Sequence, residues 1–377
     1  MKITVLIAGI CCWGQVLGQQ AIVDSLIHEL HRSQIKENSF YDAGQFPAQR
    51  GYRHVQDNTV FFDALIAYTL QGLNAGTSSK TIHAIDSICQ NIKENYSNYQ
   101  NKTGICTYNF WKTNPAHFFP NGGLLSSFSA FHIPDDADCT AMIFLTDSSL
   151  TKNANWLQNK LSAHANLSKS RIKNTKKKFS HYKAYSTWFG ERMPIEFDIC
   201  VQSNVLLFTF KNKLPLTIQD EETIALLHDQ IISGEYLKWA YYLSPSYKKK
   251  SIVLYHLARF LELAPVSVLQ DCRAIVKSDI EMELTRTSGF MDQILLSTAL
   301  IRMKGTPLPV IWPESVNKKM EKYVFFRANL FSSYARPSLK FITKSHLFDI
   351  PFYSKPYCMA LIAEYEQLMI NRIQTTR

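Results

Sequence analysis

An all-α fold is predicted for this chain by three observations. Nearly all-apolar helical runs alternate with half-polar ones, as in an imperfect helical-hairpin repeat. Four apolar runs open on an aspartate: Asp57, Asp138, Asp198 and Asp292. Aromatic-rich connections precede the most acidic of these starts. If the hairpins close into a ring, the inner helices run parallel and their N-termini gather at one end. The expected architecture is therefore an α/α toroid of five or six hairpins, with aromatic-rich loops over one end.

In chain order, Lys2 followed by an apolar core from Ile3 to Trp13 and the small-residue stretch to Gly18 reads as a signal peptide over residues 1–18. Residues 19–377 form the single toroid domain, and the protein is expected to be exported, periplasmic or extracellular. No later apolar run approaches the ~20 residues that span a bilayer. Ile22, Val23, Leu26, Ile27 and Leu30 give an amphipathic opening helix over 21–36. Behind Asp57, Val60 to Leu70 is apolar nearly all round, hence buried, and Ser79 to Tyr96 carries one isoleucine stripe, hence outer. The alternation recurs at 138–150 and 153–167, at 198–210 and 218–243, and at 251–263 and 266–284. Phe290 to Met303 opens a fifth hairpin, and Pro356 to Ile373 closes the series. Alternating aromatics over 180–188 and 323–342 suggest short strands or extended loops.

The net charge of +10 becomes +9 once residues 1–18 and their one charge, Lys2, are removed. Export makes nucleic acid an unexpected partner, while an anionic or membrane-surface partner stays open. The runs Lys176-Lys177-Lys178 and Lys248-Lys249-Lys250 read as solvated faces. Six cysteines remain, widely spaced, and read mostly as buried free thiols.

The densest chemistry is Pro134-Asp135-Asp136-Ala137-Asp138-Cys139-Thr140-Ala141-Met142. Pro134 lacks an N–H, and Asp135 or Asp136 can cap the helix that follows, Asp135 being the better placed. One acid is explained by the helix dipole. Three crowd one another, so like-charge repulsion and burial raise at least one pKa while the dipole lowers it. Ahead of this turn lie Tyr108, Asn109, Phe110 and Trp111, then Phe119 and Phe131, rings placed to cover or line the mouth of the ring. His54, His117 and His132 stand in the same kind of loop and rank second.

The stretch from Asp136 to Met142 resembles the acidic motif of class II terpenoid cyclases, Asp-x-Asp-Asp followed by Thr-Ala, which begins an inner helix of an α/α toroid. The resemblance implies that Asp138 is a Brønsted acid acting on an isoprenoid or related ligand. Cys139 stands where the family has its last acid. Asp198-Ile199-Cys200, with His256 downstream, is similar to the Asp-x-Cys and His zinc ligands of protein prenyltransferases in the same superfamily, which makes zinc a secondary expectation beside no cofactor at all. Export also fits a carbohydrate-active hydrolase or lyase, in which Asp138 pairs with Asp57 or Asp198 and the rings of Tyr108 and Trp111 stack on sugars. A noncatalytic binding protein of the cell envelope is the third reading. The expected catalytic set is Asp138, Asp136, Asp57 and Asp198, facing a concave pocket for a small molecule or glycan. Its expected binding set is Tyr108, Asn109, Trp111, Phe119 and Phe131, and the oligomeric state is left open.

Overall fold

The computed structural model describes residues 2–36, 38, 40–73, 77–113, 133–189, 193–308, 310–329 and 332–375. The first half holds helices α1 (Lys2–Ser33), α2 (Val60–Gln71), α3 (Ser79–Glu94), α4 (Ala137–Thr146) and α5 (Ala154–Ala163), with strands β1 (Ala48–Arg50) and β2 (Val55–Asp57) before α2. Next come α6 (Ile199–Lys211), α7 (Ile218–Ile232), α8 (Glu235–Lys238), α9 (Ala240–Leu243), α10 (Lys250–Leu263), α11 (Gln270–Arg286) and α12 (Phe290–Arg302). The last part is α13 (Val316–Glu321), β3 (Val324–Asn329), α14 (Lys340–Lys344), β4 (Asp349–Tyr353) and α15 (Lys355–Thr375).

The molecule is mostly helical, but it is not all-α. Four strands form one antiparallel sheet in the order β2-β1-β4-β3. Gln49 pairs with Tyr353 and Arg50 with Phe352, so the sheet joins two segments about three hundred residues apart. The aromatic stretch 323–342 supplies β3, whereas residues 180–188 form a loop without a strand, with a single bridge between Trp188 and Asp136.

The helices divide by burial as their sequences require. All ten residues of α4 are buried, and so is nearly all of α2, whereas α3 buries one stripe built on Ile85, Ile88 and Ile92. The most deeply buried helices pack on one another in a cycle: α2 on α4, α4 on α6, α6 on α10, α10 on α12, α12 on α15, and α15 back on α2. Several neighbours meet start to start. Ser244, ahead of α10, donates to Asp198 at the head of α6, and Ser251 of α10 donates 2.6 Å to Asp292 in the first turn of α12. They also meet end to end: Gln71 donates 3.0 Å to the Thr146 carbonyl, and Arg302 pairs with Glu262. The second half of α1 buries Val23, Ile27 and Leu30 and lies against α3 and α15, an outer helix completing the series. No helix among the described residues is long and apolar enough to cross a membrane.

Candidate functional site

Each of the four aspartates singled out as catalytic is buried, and each has its own set of partners. Asp57 lies beside Arg50 Nε at 3.0 Å and accepts from Trp111 Nε1 at 3.2 Å and from the Thr59 N–H at 3.0 Å. Burial pushes its pKa up to about 6, against the pull of Arg50 and Trp111. The N-cap of α2 is Thr59, and Asp57 braces that cap from outside. Asp136, not Asp135, caps α4, accepting 2.7 Å from the Cys139 N–H, and burial pushes it up to about 7. Asp198 caps α6 through the Cys200 N–H at 2.9 Å and accepts from Ser244 and from the Ser246 N–H at 2.9 Å. Burial pushes it, too, up to about 7.

Asp138 is different, because its side chain caps nothing. It projects from the first turn of α4, where Asn204 of α6 donates 2.6 Å to one oxygen and the Tyr247 hydroxyl donates to the other. Burial raises its pKa, opposed by those two bonds and by the charge of Arg259. Arg259, fully buried on α10, donates to the Asn204 carbonyl and lies over the rings of Tyr68 at 5.0 Å and Tyr255 at 5.4 Å. Tyr255 in turn donates 2.8 Å to Glu364, which Arg302 clamps from the other side at 2.6 Å. Every helix of the cycle thus contributes a polar side chain to one buried chain of contacts. At the Asp138 end, Tyr247 packs on His256 at 4.7 Å and on Phe325 at 5.9 Å, at the edge of an aromatic cluster that includes Phe326, Phe352, Phe110 and Phe61.

Asp135, and not Asp138, lines a cavity of about 290 Å³ together with Asn101, Thr107, Asn109, Trp111 and Phe189. Asp135 accepts 2.5 Å from both Asn101 and Thr107 and 3.4 Å from Asn109, which itself donates 2.7 Å to the Ile133 carbonyl. Lys102, Lys112 and Lys160 stand around the same cavity, and Lys112 is tied to Asp42 at 2.7 Å. Among the described residues Lys160 has no ion-pair partner.

Of the residues expected to bind ligand, Asn109 and Trp111 line this cavity, while Tyr108 is buried with its N–H on Thr140 at 3.0 Å. Phe119, Phe131, His117 and His132 lie outside the described residues. His54 stacks on Tyr353 at 4.4 Å, at a different cavity. Asp198, Cys200 and His256 do not form a ligand set. The Asp198 oxygens are taken by helix N–H groups and serines, and His256 Nδ1 is engaged by the Ile252 carbonyl at 2.9 Å. No group of three metal-ligating side chains is found among the described residues.

Sequence reasoning passed over Asn204, Tyr247 and Arg259. The signal was present: Asn204 and Arg259 interrupt helices that are otherwise buried nearly all round, and a buried polar or charged side chain has a partner. No family model, no curated protein and no solved structure matches this chain.

Proposed function

We propose that the cycle of start-to-start helices is an α/α toroid and that the protein is an exported binding protein whose ligand is polar and hydroxyl-rich, a glycan or acidic glycan. The cavity beside Asp135 carries this reading, because a ligand needs room, and here amide, hydroxyl, carboxylate and ammonium groups converge with Phe189 and Trp111 on one volume. At about 290 Å³ it matches the small end of ligand clefts, ~300–1,000 Å³. Amides and the carboxylate can exchange hydrogen bonds with sugar hydroxyls, rings offer apolar faces, and the lysines suit a uronate, sulfate or phosphate group. Calorimetric titration of the purified protein with neutral and acidic oligosaccharides tests it. Binding that weakens in Lys160→Ala supports the reading, and no binding to any glycan overturns it.

A second reading, acid catalysis by Asp138 on an isoprenoid-like ligand, is favoured by one observation. The carboxyl has its affinity for a proton raised by burial and stands, through Tyr247, against an aromatic cluster of the kind that stabilises cationic intermediates. Titration with isoprenoids and isoprenoid diphosphates separates the two readings, since glycan binding with no isoprenoid binding leaves Asp138 a structural group.

A further inference from the structure

The lysine run at 176–178, which reads in sequence as a solvated face, belongs to a larger cluster assembled from three distant segments. Trp239, between α8 and α9, has Lys340 Nζ 3.6 Å from its ring centre, Lys176 Nζ at 4.8 Å and Lys238 Nζ at 5.8 Å. Its neighbour Tyr241, with ring centres 5.9 Å apart, has Lys344 Nζ at 5.9 Å. Lys178 stands in the same group, 3.2 Å from Glu235. Four lysines therefore surround two rings, and among the described residues Glu235 is the one carboxylate paired with the group, bound to Lys176 at 2.9 Å and to Lys178. Cations over aromatic faces hold their charge in place while leaving it open to water.

The segment that brings in Lys340 and Lys344 also exposes apolar side chains. Leu347 is 82% exposed, the most of any large apolar residue described, Phe341 is 62% exposed and Leu339 43% exposed. These three alternate with the lysines of α14 and its flanks, in a stretch whose inward anchor is the buried Thr343, the carbonyl of which accepts from Lys248. A solvated face needs no exposed phenylalanine or leucine at the tips of a basic cluster. Apolar tips beside ammonium groups are the combination that partitions into a lipid headgroup layer, the rings and aliphatic groups reaching the acyl boundary while the lysines meet anionic headgroups. A soluble polyanion would use the lysines and leave the tips idle.

We infer that the surface formed by Trp239, Lys176, Lys238, Lys340 and Lys344, together with Phe341 and Leu347, docks the protein on an anionic lipid bilayer. The partner is fixed by charge complementarity and by the apolar tips, and this surface is independent of the cavity at Asp135.

Co-sedimentation with vesicles of phosphatidylcholine, with and without phosphatidylglycerol, tests the inference. The protein is expected to bind the phosphatidylglycerol vesicles, to leave the phosphatidylcholine ones, and to dissociate as salt is raised. Replacing Lys340 and Lys344 together by Gln should lower the partition coefficient roughly 25-fold, at about fivefold per lysine near the surface. Phe341→Ser with Leu347→Ser should lower it as well, with unchanged circular dichroism confirming the fold. Equal binding to both vesicle types, no binding to either, or binding by both double variants at parental strength overturns the proposal. So does a protein that binds heparin but no vesicle, or whose vesicle binding ignores the loss of Phe341 and Leu347.

Discussion

The side-chain amide of Asn204 donates to Asp138 across 2.6 Å, joining α6 to α4 inside the helix cycle. The carbonyl of the same amide takes one Arg259 guanidinium nitrogen, so one uncharged side chain bridges a buried acid and a buried base. Truncating it leaves two buried polar groups short of a partner, which costs far more than the bond itself contributes.

Asn204→Ala should therefore lose about 3 kcal/mol of unfolding free energy. Asp138→Asn should lose much less, because an asparagine at that position can accept from Asn204 and donate to Tyr247. Urea denaturation of both variants checks this. A cost below about 1 kcal/mol for Asn204→Ala would show that the Asp138 and Arg259 groups find other partners.

Asp136 gives a pH dependence of defined sign. Its folded-state pKa is pushed by burial from 3.8 to about 7. Between those values the folded protein holds a proton that the unfolded chain has released, so this group's contribution is fully present below about pH 4 and is lost as pH rises through about 7. Asp198, also raised to about 7, acts in the same direction. Asp136→Asn keeps an N-cap acceptor and removes the titration, so the fall in stability across that window should become shallower. Urea midpoints measured across the window decide it, and a slope unchanged from the parent would place the titration elsewhere.

Gly44 is required by geometry. Its φ is +90°, and a Cβ there would lie 2.5 Å from the Asn91 carbonyl oxygen, where the loop before β1 crosses α3. Gly44→Ala should cost about 2 kcal/mol or more, read as a lowered thermal midpoint. A stability equal to the parent's would mean that the loop has room to move away from α3.

The buried helices were legible because their signal is local. Apolar runs such as Val60–Leu70 and Ile199–Phe210 must be buried on most sides, and Asp136 and Asp198 are residue types that cap helices. The sheet was not legible, because β1 and β2 have three residues each, too few for an alternation, and β1 finds β4 only through the fold. The expected gathering of acids at one mouth was legible only in part. Asp138 is close enough to Asp136 and to Asp198 to help raise both of their pKa values, while Asp57 is paired with Arg50 and hydrogen-bonded by Trp111, an arrangement that pairing in β1–β2 and the 108–111 loop creates. Asp135 looked like a cap because it follows Pro134. In the fold it turns away to Asn101 and Thr107, partners more than twenty residues distant that no local pattern could reveal.

Trp111 links the structural and functional sides of the site, and phenylalanine in its place removes the indole N–H while keeping an aromatic face. The N–H donates to both Asp57 oxygens, at 3.3 and 3.2 Å, while Arg50 lies 5.7 Å from the ring centre and the residue lines the cavity beside Asp135. In Trp111→Phe the carboxylate keeps Arg50 and the Thr59 N–H but loses the indole donor, a charge-assisted bond worth about 1.5–3 kcal/mol. That donor favours the ionised form, so its loss should raise the Asp57 pKa above its present value of about 6. The sign follows: the variant's deficit should be largest above about pH 7, where Asp57 must be charged, and should shrink as pH falls below about 6 and the carboxyl takes up its proton. Denaturation at one pH on each side of that range measures the difference, and an equal deficit at both would mean that the N–H serves something other than the Asp57 charge. Glycan affinity adds a second readout, because the phenyl ring still offers an apolar face to the cavity. Affinity should fall little in Trp111→Phe and much further in Trp111→Ala, and equal losses in the two would assign the indole N–H, not the ring face, to the ligand.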